Sequence, residues 1–165
     1  TVVTFVNDKQ QVIQFVIEGT LEEKYAKIAN LVNKYNPRGG YVESNSIGVV
    51  MLEEIQKKLS NKHRLSLYAT TNQTKKDYIS LISVAISNKE ITFDASNKQL
   101  YAELGTFSYK LTKNGLITYA AIEPNKDDCV ISLGLAMAAK ENFANPVTAK
   151  NFGFIDVDLK GYNLR

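Results

Sequence analysis

Three acidic residues stand where an α/β protein usually keeps its ligands. Glu43 closes the strand-like run Tyr41-Val42-Glu43 and is followed by the polar turn Ser44-Asn45-Ser46. Asp127 and Asp128 lie side by side at the mouth of an apolar helical stretch. In α/β folds the carboxyl ends of strands and the adjoining helix starts form the ligand crevice. Carboxylate oxygens are the preferred ligands of hard cations such as Mg²⁺ and Mn²⁺. Two such ions about 4 Å apart can activate a water and stabilise the departing oxygen of a phosphodiester. Acids distant in sequence can therefore build a nuclease centre without a histidine. Each acid also has an ordinary role open to it. Asp127 and Asp128 suit the positive end of a helix and can cap its free N–H groups, and Glu43 can be a solvated acid at a strand end. Spacing leaves these alternatives standing.

Other chemistries find less support. There is no Walker A loop, no G-x-G-x-x-G, no H-E-x-x-H and no G-x-S-x-G. His63, the sole histidine, sits in Lys62-His63-Arg64 without an obvious acidic orienter, which suits a surface or phosphate-contacting role better than general-base work. Cys129 lies in an apolar helical run and reads as a small core residue. Lys57, Lys58, Lys62, His63 and Arg64 form a basic cluster, and Lys75 and Lys76 follow. These are either a phosphate-contacting patch or a solvated helix end and loop. A net charge of +3 permits a polyanionic partner without demanding one.

The elements that must carry these residues are legible from periodicity and turn chemistry. Thr1–Val6 and Gln11–Ile17, rich in Val, Ile and Phe and separated by Asn7-Asp8-Lys9, predict a hairpin. Thr20 opens a capping box with Glu23, and Leu21, Tyr25, Ile28 and Val32 share one helical face. Asn36-Pro37-Arg38-Gly39-Gly40 stops that helix, and a short strand, Gly40–Glu43, follows. Leu52, Ile55 and Leu59 mark a second amphipathic helix, and Leu65–Thr70 a strand. Thr74 to Asp77 is again a capping pattern, ahead of a helix expected to bury Tyr78, Leu81, Ile82 and Ala85. Ile91–Phe93 predicts a short strand and Asn97–Leu104 a short helix. Phe107–Leu111 and Leu116–Ile122 flank Asn114-Gly115, a hairpin signal. A last helix starts near Asp127, and beyond Phe143 the pattern fades into a tail, residues 144–165.

An early hairpin, then strands alternating with helices, predicts an α/β sheet of mixed direction. At 165 residues, with no repeat, linker or low-complexity tract, the chain suits one domain. No apolar run reaches the roughly 20 residues that span a bilayer, and Thr1–Asp8 lacks signal-peptide features. A single cysteine forbids intrachain disulfides and speaks against thiolate zinc sites. A reducing compartment fits.

The segment Lys126-Asp127-Asp128-Cys129-Val130-Ile131-Ser132-Leu133-Gly134-Leu135-Ala136 resembles the last nuclease motif of tailed-phage terminase large subunits. Tyr41-Val42-Glu43-Ser44-Asn45-Ser46-Ile47-Gly48 is similar to that family's middle motif, a strand-end Glu followed by Asn and Gly. Between them, Thr74-Lys75-Lys76-Asp77-Tyr78-Ile79 and Leu100-Tyr101-Ala102-Glu103-Leu104-Gly105-Thr106-Phe107 match the family's connecting elements in order. The resemblance spans about Thr1 to Phe143.

It implies an RNase H-like mixed β-sheet with helices on both faces, and an endonuclease that cuts concatemeric viral DNA during packaging. It further implies two Mg²⁺ or Mn²⁺ ions held by Glu43, Asp127 and Asp128. Double-stranded DNA is the implied substrate, and Lys62, His63, Arg64, Lys75 and Lys76, from the basic cluster above, are the residues expected to contact it. A small terminase subunit and a portal protein would be partners in the full-length motor, with no membrane and with the host cell cytoplasm as its place. The family's first motif is an Asp on a central strand just ahead of a segment like Thr1–Asn7. That Asp is not in the sequence as given, and Asp8, in the hairpin turn, is a poor substitute. An N-terminal stretch ahead of Thr1 and a packaging ATPase are therefore expected in the longer protein. Two other functions remain open: a Holliday-junction resolvase or transposase nuclease of the same fold, and a degenerate module that binds DNA or partners without cutting.

Overall fold

The computed structural model describes residues 1–44, 47–60, 65–111, 117–122 and 126–144. Lys62, His63, Arg64, the Asn114-Gly115 turn and the tail beyond Ala144 lie outside them. The chain begins with strands β1 (Val2–Val6) and β2 (Gln11–Val16), paired antiparallel with Phe5 opposite Ile13. Asn7 closes the turn: its side chain accepts the N–H of Gln11 at 2.9 Å. Helix α1 (Leu21–Tyr35) starts at a full capping box between Thr20 and Glu23 and stops at Asn36, whose left-handed backbone (φ 45°) ends it. Tyr25, Ile28, Ala29 and Val32 form its buried face. Leu21 was expected there too but is exposed, because it lies in the first turn beside the solvated cap.

Strand β3 (Gly40–Glu43) is followed by α2 (Gly48–Lys58), and β4 (Leu65–Tyr68) returns parallel to β3 with Glu43 opposite Tyr68. Helix α3 (Asn72–Ser87) is capped by Thr71, not by Thr74. Thr74 instead occupies the third helical position and returns its hydroxyl to the Thr71 N–H at 2.8 Å. The two-residue strand β5 (Thr92–Phe93) joins β2 in parallel, and α4 (Lys98–Thr106) is capped by Asn97. Strands β6 (Phe107–Leu111) and β7 (Ile117–Ala121) make an antiparallel hairpin, and α5 (Asp128–Ala144) follows.

The described strands form three sheets: β1, β2 and β5; β3 with β4; and the β6–β7 hairpin alone. The hairpin therefore stands apart from the main sheet. It packs on α3 and leaves Tyr109 and Leu111 exposed. Side-chain alternation along β1 explains the layering. Val2 and Val6 pack with the core of α3, α4 and α5, whereas Val3 and Phe5 pack with that of α1 and α2. Helices thus cover both faces. Helix α5 is apolar all round and crosses behind both β1 and β3, which makes it the element bridging the two principal sheets.

Candidate metal and nucleic-acid site

Between β1 and β3 lies a cleft of about 750 Å³. Its floor is α5 (Ile131, Ser132, Leu135, Ala136, Ala139), its opposite face is α1 and α2 (Ile28, Val32, Met51, Ile55), and its walls are the two strands. Most of this lining is apolar. Glu43, Asp127, Asp128 and Lys75 line the same cleft. Glu43 and Asp127 are half-buried, Asp128 is exposed, and Lys75 in the first turn of α3 is half-buried. Sequence positions 43, 75, 127 and 128 thus converge. Lys76 is exposed on α3 and is not among the cleft residues.

Each of these side chains is held by packing that can be named. Glu43 ends β3, whose pairing with β4 is carried one residue further by the Ser44 N–H donating to the Tyr68 carbonyl at 2.9 Å. Tyr41 stacks between Tyr68 and Phe143, with ring centroids 4.8 and 5.4 Å away, and accepts from Asn142 Nδ2 at 3.0 Å, which fastens β3 to α5. The start of α5 is gripped from several sides. Cys129 N–H donates to Glu103 Oε2 at 2.6 Å and Val130 N–H to the same oxygen at 3.3 Å. Gln14 Nε2 donates to the Cys129 carbonyl at 3.0 Å. One turn on, Ser132 Oγ meets Thr4 Oγ1 at 2.8 Å. The capping duty considered for Asp127 and Asp128 therefore falls, at these two N–H groups, to Glu103.

Tyr78 on α3 is wholly buried beneath the site. Burial first, then the negative charges of Glu43 and Asp127, pushes its hydroxyl far above the usual tyrosine range, so it stays a neutral phenol. Cys129 is fully buried and its thiol is pushed up to about 12, by burial and then by the Glu103 carboxylate. It is a core residue, as its sequence context indicated. Asp8 also lines the cleft, where it is tied to Arg38 at 3.0 Å in an exposed pair.

The donor chemistry suits a hard divalent cation, since the acids at this end of the cleft offer only carboxylate oxygens. Among the described residues, no three His, Cys, Asp or Glu side chains form a ready-made group able to hold a metal ion. Such a cage is not required for Mg²⁺, which commonly keeps several waters and binds through one or two carboxylates plus substrate phosphates.

Sequence reasoning did not single out Glu103, Gln14 or Tyr78 as parts of the site. Glu103 left a signal: it shares the stripe of Leu100, Leu104 and Phe107, at helical spacing, so a charge points into an apolar face. Gln14 looks like an ordinary alternating polar residue until α5 is packed against it.

Solved structures share this fold. The large terminase nuclease of thermophilic phage G20c superposes with a TM-score of 0.68 at 19% identity, over 79% of this chain and 69% of that one. It has also been solved with bound cobalt and with bound magnesium. The large terminase nuclease domain of Thermus phage P74-26 matches with a TM-score of 0.63 at 19% identity, over 84% and 69% of the two chains. A mutant large-terminase nuclease domain of bacterial virus Sf6, solved with manganese, matches at 0.57 and 10% identity, over 82% and 86%. These likenesses establish the RNase H-like fold. No curated protein matches the chain in sequence. The family model for the terminase RNaseH-like domain matches residues 18–140, most of the chain and both acidic motifs, and the protein belongs to that family.

Proposed function

We propose that this protein is a divalent-metal-dependent DNA endonuclease that cuts viral DNA during genome packaging, with Glu43, Asp127 and Asp128 as its metal ligands. The observation that carries the reading is that these three acids and Lys75 line one cleft, in a chain of the terminase RNaseH-like family. The structural neighbours solved with cobalt, magnesium and manganese support the choice of cation class.

When bound, Mg²⁺ or Mn²⁺ supplies Lewis-acid polarisation of the phosphoryl oxygen and lowers the pKa of water; two ions suit in-line phosphodiester hydrolysis. The chain's own contribution is placement. Glu43 reaches the cleft from the sheet, Asp127 and Asp128 reach it from the helix, and the Lys75 ammonium offers a point charge to a DNA phosphate. Lys76, with Lys62, His63 and Arg64, extends the phosphate-binding surface in this proposal. A small terminase subunit and a portal protein are the partners proposed for the full motor, in the host cytoplasm. Among the described residues no helix is long and apolar enough to cross a membrane.

The test is Mn²⁺-dependent nicking of supercoiled plasmid. Glu43→Ala and Asp128→Ala are each expected to lower the rate by roughly 100-fold or more, while circular dichroism stays that of the parent. Unchanged nicking in both variants removes these residues from the mechanism. The opposite outcome of the same assay is a module that binds DNA without cutting. Salt-sensitive DNA binding with no cleavage at any Mn²⁺ concentration would select it.

A further inference from the structure

Glu103 is the one buried charged residue among the described residues, 4% exposed on the inner side of α4. A carboxylate in such a place is costly unless hydrogen bonds compensate it. Here Oε2 takes the N–H groups of Cys129 and Val130 at 2.6 and 3.3 Å, and Oε1 accepts from Gln99 Nε2 at 3.0 Å. Those two N–H groups belong to the first turn of α5, immediately after Asp127 and Asp128. A helix start open to water would need no buried anion to satisfy them.

Residue 129 is held at both of its backbone polar atoms, since Gln14 Nε2 donates to its carbonyl at 3.0 Å while Glu103 takes its N–H. Gln14 is itself oriented by the Asn97 side chain at 3.1 Å, and Asn97 caps α4, the helix that carries Glu103. The chain thus fixes the α5 start from α4 and β2 together, directly behind the acidic pair. We propose that Glu103 is the positioning residue of the metal site: its carboxylate sets where α5 begins and thereby aims Asp127 and Asp128 into the cleft. This rests on the reading of the cleft as a divalent-cation site. Outer partners of this kind typically alter metal affinity by about 10- to 100-fold when removed.

Two replacements separate geometry from charge. Glu103→Gln retains an amide oxygen that can accept the same N–H groups, and Glu103→Met fills similar volume but accepts nothing. Mn²⁺ binding to the DNA-free protein, followed by calorimetry, is expected to weaken by roughly 10- to 100-fold in Glu103→Met and to stay near the parent value in Glu103→Gln. Amide hydrogen exchange at Cys129 and Val130 should accelerate in the Met variant ahead of global unfolding. Equal loss of affinity in both variants overturns the positioning role, as does parent-like affinity in Glu103→Met when Asp128→Ala has lost it; either result leaves the cation site standing. Parent-like Mn²⁺ affinity in Glu43→Ala, Asp127→Ala and Asp128→Ala overturns the cation site, and the positioning role with it. Should Glu103→Met not fold, the Gln variant decides: slow exchange at Cys129 and Val130 with parent-like affinity supports the role, and weakened affinity overturns it.

Discussion

Asp128 and Cys129 are adjacent in sequence and opposite in environment, one exposed at the cleft and the other wholly enclosed. An acid in the first turn of a helix contributes about 0.3–1 kcal/mol through the helix dipole. Asp128→Ala should therefore cost little stability while removing metal-dependent nicking, and a thermal melt beside the plasmid assay separates the two effects. Cys129 should resist thiol reagents in the native protein and react once it is denatured, because the thiolate is the reactive form. The sign of its pH dependence follows from the raised value. The unfolded thiol ionises near 9.0 and the folded one only near 12, so its contribution is intact below pH 9 and is lost as pH climbs from 9 toward 12. The raised Tyr78 hydroxyl acts in the same direction above its ordinary value of 10.0. Melting temperature is expected to fall steadily over this alkaline range, and a flat profile to pH 11 would contradict the burial argument.

At the scale of elements, α5 carries the site and joins the two principal sheets. Gly134 lies in its interior, where glycine costs about 1 kcal/mol of helix propensity relative to alanine. Propensity alone says that Gly134→Ala should stabilise. The packing says otherwise: a Cβ at Gly134 would run into the ring of Tyr78, which is fully buried and has no room to yield. Overpacking of this kind typically costs about 1–3 kcal/mol, so a net loss is expected, with a shift of the α3–α5 contact that also disturbs Asp127. Denaturant unfolding measures the first, and Mn²⁺ titration the second. Periodicity and capping chemistry predicted these elements well, from the β1–β2 hairpin to α5. The errors were local choices between near-equivalent residues. Thr71 and Thr74 both offer hydroxyls at capping distance, and only the path of the chain out of β4 decides which is the cap.

For the whole molecule, a net charge of +3 leaves any DNA affinity to where the cations lie rather than to their number. Lys75 lines the cleft with the acids, whereas Lys76 points to open solvent. Lys75→Ala is expected to weaken DNA binding across all sequences and to reduce the log–log salt slope by about 0.9 if it neutralises one duplex phosphate. A slope identical to that of the parent would remove Lys75 from the DNA surface. The order and type of the elements were readable from the chain alone, because turn residues, helix caps and side-chain alternation act over a few positions. That Glu43 and Asp127 line one cleft was not, nor was the burial of Glu103 behind the start of α5. Those relations depend on α5 crossing both sheets, and they join residues dozens of positions apart through packing that no local pattern encodes.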